Sequence, residues 1–234
     1  MLSIIATPIG NLGDMSARAV EALREADAIA CEDTRRTWTL LSHFNIPRPE
    51  LLISYREGTE HRAGGRVLGL LEVGKRVALC SDGGYPGISD PGYRLIRAAV
   101  DAGHDLQVLP GASAITVALL SSGLSTSSYT YKGFPPRKAG ALNRFFDEEC
   151  DRPHTLVLFE SPMRVHKSLC AALGALGDRL AAVCIELTKK HERVSRAYLS
   201  ELCAEFEGKT IKGEVTIVIA GNNPKFAKSV SVPE

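Results

Sequence analysis

Short apolar runs alternate with helix-period segments through the first half of this chain, and most of the runs close on a string of glycine, proline or acidic residues. Candidate strands fall at residues 2–6, 28–31, 51–54, 77–80 and 106–109, with helix patterns at 16–25, 35–43, 59–72 and 93–102. That alternation predicts a mostly parallel sheet covered by helices on both faces. Asp14 and Ser16 are residue types that start helices, and Gly74 and Gly103 fall where the third and fourth helices should end.

The pattern changes after Pro110. A helix reads over 113–121, followed by a small, polar stretch 121–128, the segment 129–134 and a basic loop, Pro135-Pro136-Arg137-Lys138. Further strands are predicted at 155–159, 181–187 and 215–220, and helices at 139–149, 165–173 and 197–207. The chain divides into an α/β domain at 1–111, a second α/β domain at 112–222 and a tail at 223–234, whose low apolar content predicts fraying.

Composition narrows the class. Hydrophobic residues at 44% and charged residues at 24% predict a packed core. The 28 Lys and Arg against 27 Asp and Glu neither demand nor forbid a nucleic-acid partner. None of the six cysteines has the spacing of a metal finger or a redox motif, which points to a reducing, cytoplasmic setting. The first residues lack a basic segment ahead of the apolar one, against a secretory signal, and no apolar run is long enough for a bilayer.

Five strings lie just past predicted strands: 7–14, 31–35, 81–92, 110–114 and 186–190. Loops at the carboxyl ends of sheet strands converge on one crevice. The richest, 81–92, combines glycines that let backbone amides approach a ligand with the carboxylates Asp82 and Asp90. Each string also has a plain reading as a turn or helix cap. Glu32-Asp33-Thr34-Arg35 reads as a helix start or as the wall of an acceptor site, and Asn11 and Asp14 as turn residues or ligand neighbours. Arg35 and Arg36 could anchor phosphates, and Lys138 is the first choice for an RNA-backbone contact, ahead of Arg144 and Arg164. Phe159-Glu160-Ser161-Pro162 reads as a strand end and helix start as readily as a ligand contact. The histidines show no metal spacing, and the aromatic residues form no RNA-recognition stripe along the sequence.

The strings TPIGNLGD, CEDTR, SDGGYPGISDPG, PGASAITVALLSSGL, YKGFPPRK, FESPMRV, ELTKKHE and GEVTIVIAG occur here in order, over residues 2–221. In them the chain resembles the bacterial small-subunit ribosomal RNA (cytidine 2′-O) methyltransferase group of the tetrapyrrole methylase family. TPIGNL and EDTR are the specific part. The resemblance implies a two-domain tetrapyrrole methylase-like fold, with a parallel sheet in the N-terminal domain and a mixed sheet in the C-terminal domain. It also implies a homodimer, and S-adenosyl-L-methionine held in the cleft between domains.

By motif matching, Asp82, Gly83, Gly84 and Pro86 lie near the methionine end of that donor, with Ile88, Ser89 and Asp90 continuing the wall. Pro110, Gly111, Ser113 and Ala114 pass at the hinge. Glu186, Leu187 and Thr188, with Gly213 and Glu214, lie near the adenosine. Pro8, Gly10, Asn11, Arg35, Arg36 and Lys138 line the RNA side. The family's usual SDAGTP is altered here by Gly83 and Tyr85. The sequence ends at Glu234, ahead of the small helical C-terminal region that many relatives carry.

The implied reaction is methylation of a ribose 2′-hydroxyl in 16S ribosomal RNA, or in the assembled small subunit, with no metal. A base would remove the hydroxyl proton, and Asp33, Glu32 and Asp14 are the candidates, Asp33 first. Two other readings stand beside it: carbon methylation of a tetrapyrrole, and a non-catalytic module that binds the donor.

Overall fold

The computed structural model describes residues 1–228, which divide into two compact units, one spanning Met1–Ser113 and the other beginning at Ala114. In the first, β1 (Leu2–Ile5), β2 (Ala28–Cys31), β3 (Leu51–Ser54), β4 (Val77–Cys80) and β5 (Leu106–Leu109) form one sheet in the order β3-β2-β4-β1-β5, parallel throughout. The connecting helices are α1 (Ala17–Glu25), α2 (Thr34–His43), α3 (Glu60–Glu72) and α4 (Tyr93–Asp101).

Side chains alternate across these strands, so each strand feeds two cores. Ile5, Ile29, Cys31, Ala78 and Cys80 pack with Ala19 and Leu23 of α1 and Leu41 of α2. Leu2, Ile4, Ala28, Ala30, Val77 and Leu79 pack with Val67 and Leu71 of α3 and Leu95 and Ala99 of α4. Burial on both faces is why the inner strands β1, β2 and β4 read as nearly unbroken apolar runs. The neighbours β1 and β4 therefore send their following helices to opposite faces. In parallel sheets of this kind ligands bind outside the carboxyl ends of the strands at such a switch point.

The second unit holds β6 (Tyr129–Tyr131), β7 (Thr155–Glu160), β8 (Leu180–Ile185), β9 (Arg193–Tyr198) and β10 (Val215–Ile219), in the order β6-β7-β10-β8-β9. β6 runs parallel to β7 and the other pairings are antiparallel, so the sheet is mixed. On one face α6 (Ala139–Asp147), α7 (Val165–Leu176) and α8 (Leu199–Phe206) bury Leu142, Phe146, Leu169 and Phe206 against Leu158, Val183 and Ile217. The other face is covered by α5 (Ala114–Ser122), which packs on β7, β8 and β10. Its sequence, AITVALLSS, is apolar around most of its circumference, as a covered helix requires.

Two expectations need correction. The helix predicted from residue 197 starts at Leu199, because Ala197 and Tyr198 end β9, a strand that the sequence reading missed. Its sequence, RVSRAY, lies at the sheet edge among the described residues and never forms an apolar run. The predicted fraying also fails for residues 223–228. Asn223 caps a short 3-10 turn, Ala227 bridges Arg179, and the Lys228 main-chain N–H donates to the Asp178 carbonyl at 2.9 Å. Residues 229–234 lie outside the described part. No described helix is long and apolar enough to cross a membrane.

Candidate functional site

The loops past β1 and β4 are stitched together. Thr7 and Gly84 exchange main-chain hydrogen bonds, both 2.9 Å, and the Thr7 hydroxyl donates to the Ser81 carbonyl at 3.0 Å. Gly84 sits at φ +78, a left-handed conformation that needs glycine. Loop 81–92 then folds on itself. A side chain on Gly92 would lie 2.7 Å from the Gly87 nitrogen, so both glycines are required for closure. Ser89 carries a positive φ of 63 without being glycine, a local strain of the kind that collects at functional loops.

Tyr85 ties this loop to the one past β5. Its hydroxyl oxygen accepts from the Gly111 main-chain N–H at 3.0 Å. Gly111 is packed so tightly that an added Cβ would come within 2.8 Å of the Ala6 Cβ. Gly111 therefore has a structural reason to be glycine, independent of any ligand. Pro86 is buried, Ile88 is exposed, and Pro8 is half-buried beside exposed Gly10.

Asp82 links the β4 loop to the β2 loop. Its Oδ1 accepts from the Asp33 main-chain N–H at 3.2 Å, and its Oδ2 from Arg36 Nη1 at 2.9 Å. Asp33 is the N-cap of α2 and accepts from the Arg35 main-chain N–H at 2.8 Å. Arg35 closes a fork on the same carboxylate, with Nε at 3.1 Å and Nη2 at 2.8 Å. The Arg35 side chain and main-chain N–H together hold the Asp33 carboxyl well below the usual carboxylate range. Glu32 is the opposite case. Burial, then the neighbouring Asp82 carboxylate, push its carboxyl above its ordinary value, against a weaker pull from the Asp82 main-chain N–H and Arg36. Two adjacent carboxylates are thus driven apart in proton affinity, the arrangement that separates acid–base roles in active sites. Asp14 ends an exposed 3-10 turn that Asn11 caps through Gly13, while Ser16 caps α1. At the ends of β2 and β4, burial raises the Cys31 thiol to about 11 and the Cys80 thiol further, so both stay protonated.

The second unit has its own cluster. Past β8, Glu186 and Thr188 both adopt positive φ, 52 and 66, around buried Leu187. The Glu186 carboxylate lies over Gly213, where any Cβ would overlap it, and accepts from the Glu214 main-chain N–H at 2.9 Å and Lys189 Nζ at 2.7 Å. Lys189, first among several contacts, holds the Glu186 carboxyl below its ordinary value. The Thr188 hydroxyl oxygen is buried and has no partner among the described residues. A buried hydroxyl left unsatisfied costs about 1–3 kcal/mol unless a ligand or water completes it. Ser113 ends the first unit and Ala114 opens α5, both half-buried. Lys138 is exposed at the N-cap of α6.

Residues 1–203 match the family described as Tetrapyrrole (Corrin/Porphyrin) Methylases. The chain belongs to the tetrapyrrole methylase family. Among curated relatives, the protein named Ribosomal RNA small subunit methyltransferase I of Halalkalibacterium halodurans is 42% identical over 96% of this chain and 77% of its own length. The protein of the same name from Synechocystis sp. is 42% identical over 99% and 82%. Among solved structures, the methyltransferase CobJ aligns with a TM-score of 0.70 at 17% identity, over 94% of both chains. Diphthine synthase aligns with a TM-score of 0.66 at 16%, over 94% of this chain and 89% of its own. At that identity the two structures speak for the tetrapyrrole methylase fold alone.

Methyltransferases of this family use S-adenosylmethionine as methyl donor. The residues present fit such a group. The orphaned Thr188 hydroxyl of the second unit suits a ligand polar atom. Sequence reasoning missed Thr7, Ser81 and the Tyr85 hydroxyl as the ties between loops. Only the positions of Thr7 and Ser81 directly after predicted strands hinted at their part.

Proposed function

We propose that this chain is an S-adenosylmethionine-dependent methyltransferase that 2′-O-methylates a cytidine ribose of 16S ribosomal RNA, working as a homodimer in the cytoplasm. One observation carries the reading. Several bacterial relatives, 41–42% identical over nearly the whole chain, share the name Ribosomal RNA small subunit methyltransferase I. No comparable observation favours a tetrapyrrole substrate or a non-catalytic role.

The donor, when bound, supplies an electrophilic methyl group on a sulfonium. In the first unit Asp82, Gly83, Gly84, Pro86, Ile88, Ser89, Asp90, Pro110 and Gly111 are its candidate contacts. Ser113, the last residue of that unit, is another, and in the second they are Ala114, Glu186, Leu187, Thr188, Gly213 and Glu214. Pro8, Gly10, Asn11, Arg35, Arg36 and Lys138 remain the candidates for the RNA.

The base passes from Asp33 to Glu32 in this reading. Three N–H donors already occupy the Asp33 carboxylate, and a carboxylate so stabilised takes up a proton poorly. Glu32 has a proton affinity raised above that of an ordinary glutamate, the direction that favours a base. Asp33 acts as the latch that fixes α2 and aims Arg35. Arg36, held on Asp82 and still largely exposed, is oriented to meet a phosphate.

The test is mass spectrometry of ribosomal RNA from cells lacking the protein, with purified protein added back to their small subunits. A single ribose methyl absent from the RNA and restored by the protein supports the reading. Intact methylation in the deletion strain, or methyl transfer to uroporphyrinogen alone, ends it. Sedimentation of the purified chain decides the dimer.

A further inference from the structure

The second unit exposes an aromatic cluster that no part of the proposed chemistry uses. Phe159, next to last in β7, lies edge-to-face with Tyr131 on one side, centroids 5.1 Å apart, and with Phe134 on the other, 5.7 Å apart. The three rings are scattered through the sequence and meet because β6 pairs alongside β7. Phe134 is 55% exposed and Met163, in the short turn after β7, is 83% exposed.

The loop that presents Phe134 is firmly held. Arg164 Nη2 donates to the carbonyls of Pro135 at 3.1 Å and Pro136 at 2.7 Å. Its Nη1 pairs at 3.4 Å with Glu160, whose side chain is fully buried. Glu160 is fixed in turn by the Ser161 main-chain N–H at 2.7 Å and by the Ser168 hydroxyl. A buried carboxylate thus braces an arginine, and the arginine braces a proline-stiffened loop. That bracing holds a phenyl ring out in water, where a loose loop would fold it inward.

Charge identifies the occupant. Residues 133–147 and 161–177 form the loop and the helices beside it. Together they hold five Lys or Arg (Arg137, Lys138, Arg144, Arg164 and Lys167) against one acidic residue, Asp147 at the far end of α6, in a chain of net charge +1. A two-fold contact with a second copy through this patch would bring Arg137 and Lys138 of each copy toward their like. A polyanion with planar, stackable groups meets both features.

We propose that the Tyr131–Phe159–Phe134 cluster is a stacking platform for an unpaired base of the RNA substrate, whose flanking phosphates engage Arg137 and Lys138. The proposal rests on the ribosomal RNA methyltransferase reading and adds to it where, and by what chemistry, the RNA is gripped. Arg164 is a positioning residue for that grip.

The experiment measures binding of the full-length chain to a fluorescently labelled single-stranded RNA across a salt series, with methyl transfer to small subunits scored separately. Phe134→Ala should weaken binding about tenfold, within the range of a lost base–aromatic stack, at every salt concentration. Phe134→Trp should restore it. Replacing Arg137 and Lys138 together by Gln should instead flatten the slope of log affinity against log salt by about 1.4. Unchanged binding by Phe134→Ala in a protein that methylates RNA normally overturns the platform and leaves the proposed function standing. Loss of the dimer by Phe134→Ala, with affinity per protomer intact, also overturns it in favour of a second copy. A wild-type chain that neither binds nor methylates RNA refutes the proposed function, and the platform with it.

Discussion

Replacing Glu32 by Gln separates catalysis from stability in opposite directions. Burial and the Asp82 carboxylate raise the Glu32 carboxyl above the ordinary glutamate value of 4.5. A carboxyl that binds its proton more tightly folded than unfolded favours folding most below the unfolded pKa. That advantage disappears as pH rises through the folded pKa, and above it the buried negative charge opposes folding. The neutral amide of Gln carries no such charge and can still accept from the Asp82 main-chain N–H. Glu32→Gln is therefore expected to be more stable than the wild type at pH 7 and to converge with it near pH 4, measured by denaturant midpoint at each pH.

Catalysis moves the other way. A positioned base contributes at least about 100-fold, or about 2.7 kcal/mol of barrier, so methyl transfer to small subunits should fall by that factor or more. In single-turnover assays the wild-type rate should rise with pH through a carboxyl pKa above the ordinary value and then level off. The Gln variant should lose that inflection. A variant that methylates within about fivefold of wild type, well inside the loss of a base, with the inflection kept, refutes the assignment. So does a variant less stable than wild type at pH 7, because the charge would then be stabilising.

Three further outcomes follow from contacts described above. Asp33→Asn keeps a competent N-cap on α2 and should hold methyl transfer within about fivefold of wild type, whereas Asp33→Ala loses the cap and should lower the thermal midpoint as well. Glu160→Gln removes the charge from a buried pair and should cost about 3 kcal/mol in chemical denaturation, with proteolysis newly admitted at the 133–138 loop. Gly111→Ala drives a methyl group into Ala6 and should cost about 1–3 kcal/mol, and adding Ala6→Gly should recover part of it, since the clashing Cβ is then gone.

The first sheet was legible because its inner strands β1, β2 and β4 are buried on both faces. β2, β3, β4 and β5 fall on the predicted residues, since each is a mostly apolar run bounded by turn residues. β9 was not legible. Among the described residues it pairs with β8 alone, and it intersperses two arginines with small and polar residues, so nothing distinguishes it locally from a loop. Strand order was equally hidden, because β4 lies between β1 and β2 through crossovers that no local pattern records. Site residues emerged as strings, but not their partners. Asp82 appeared as a free carboxylate, yet both oxygens are engaged by the β2–α2 corner 46 to 49 positions away. Tyr85 stood out only as a departure from the family string, and its bond to Gly111 depends on two loops meeting in space. The aromatic cluster was invisible for the same reason.

The guanidinium groups of β9 guard the sheet against its own chemistry. Among the described residues this strand pairs on one side alone, and its other row of peptide groups is a ready template for any extended segment from another molecule. Arg193 leans onto Glu205 of α8 and Arg196 reaches the Ser121 carbonyl, so two bulky cations straddle the rim. Exchanging both for valine would leave VVSVAY, a short β-branched stretch without charge. That variant should retain its fold while dilute but turn cloudy and bind thioflavin as concentration rises.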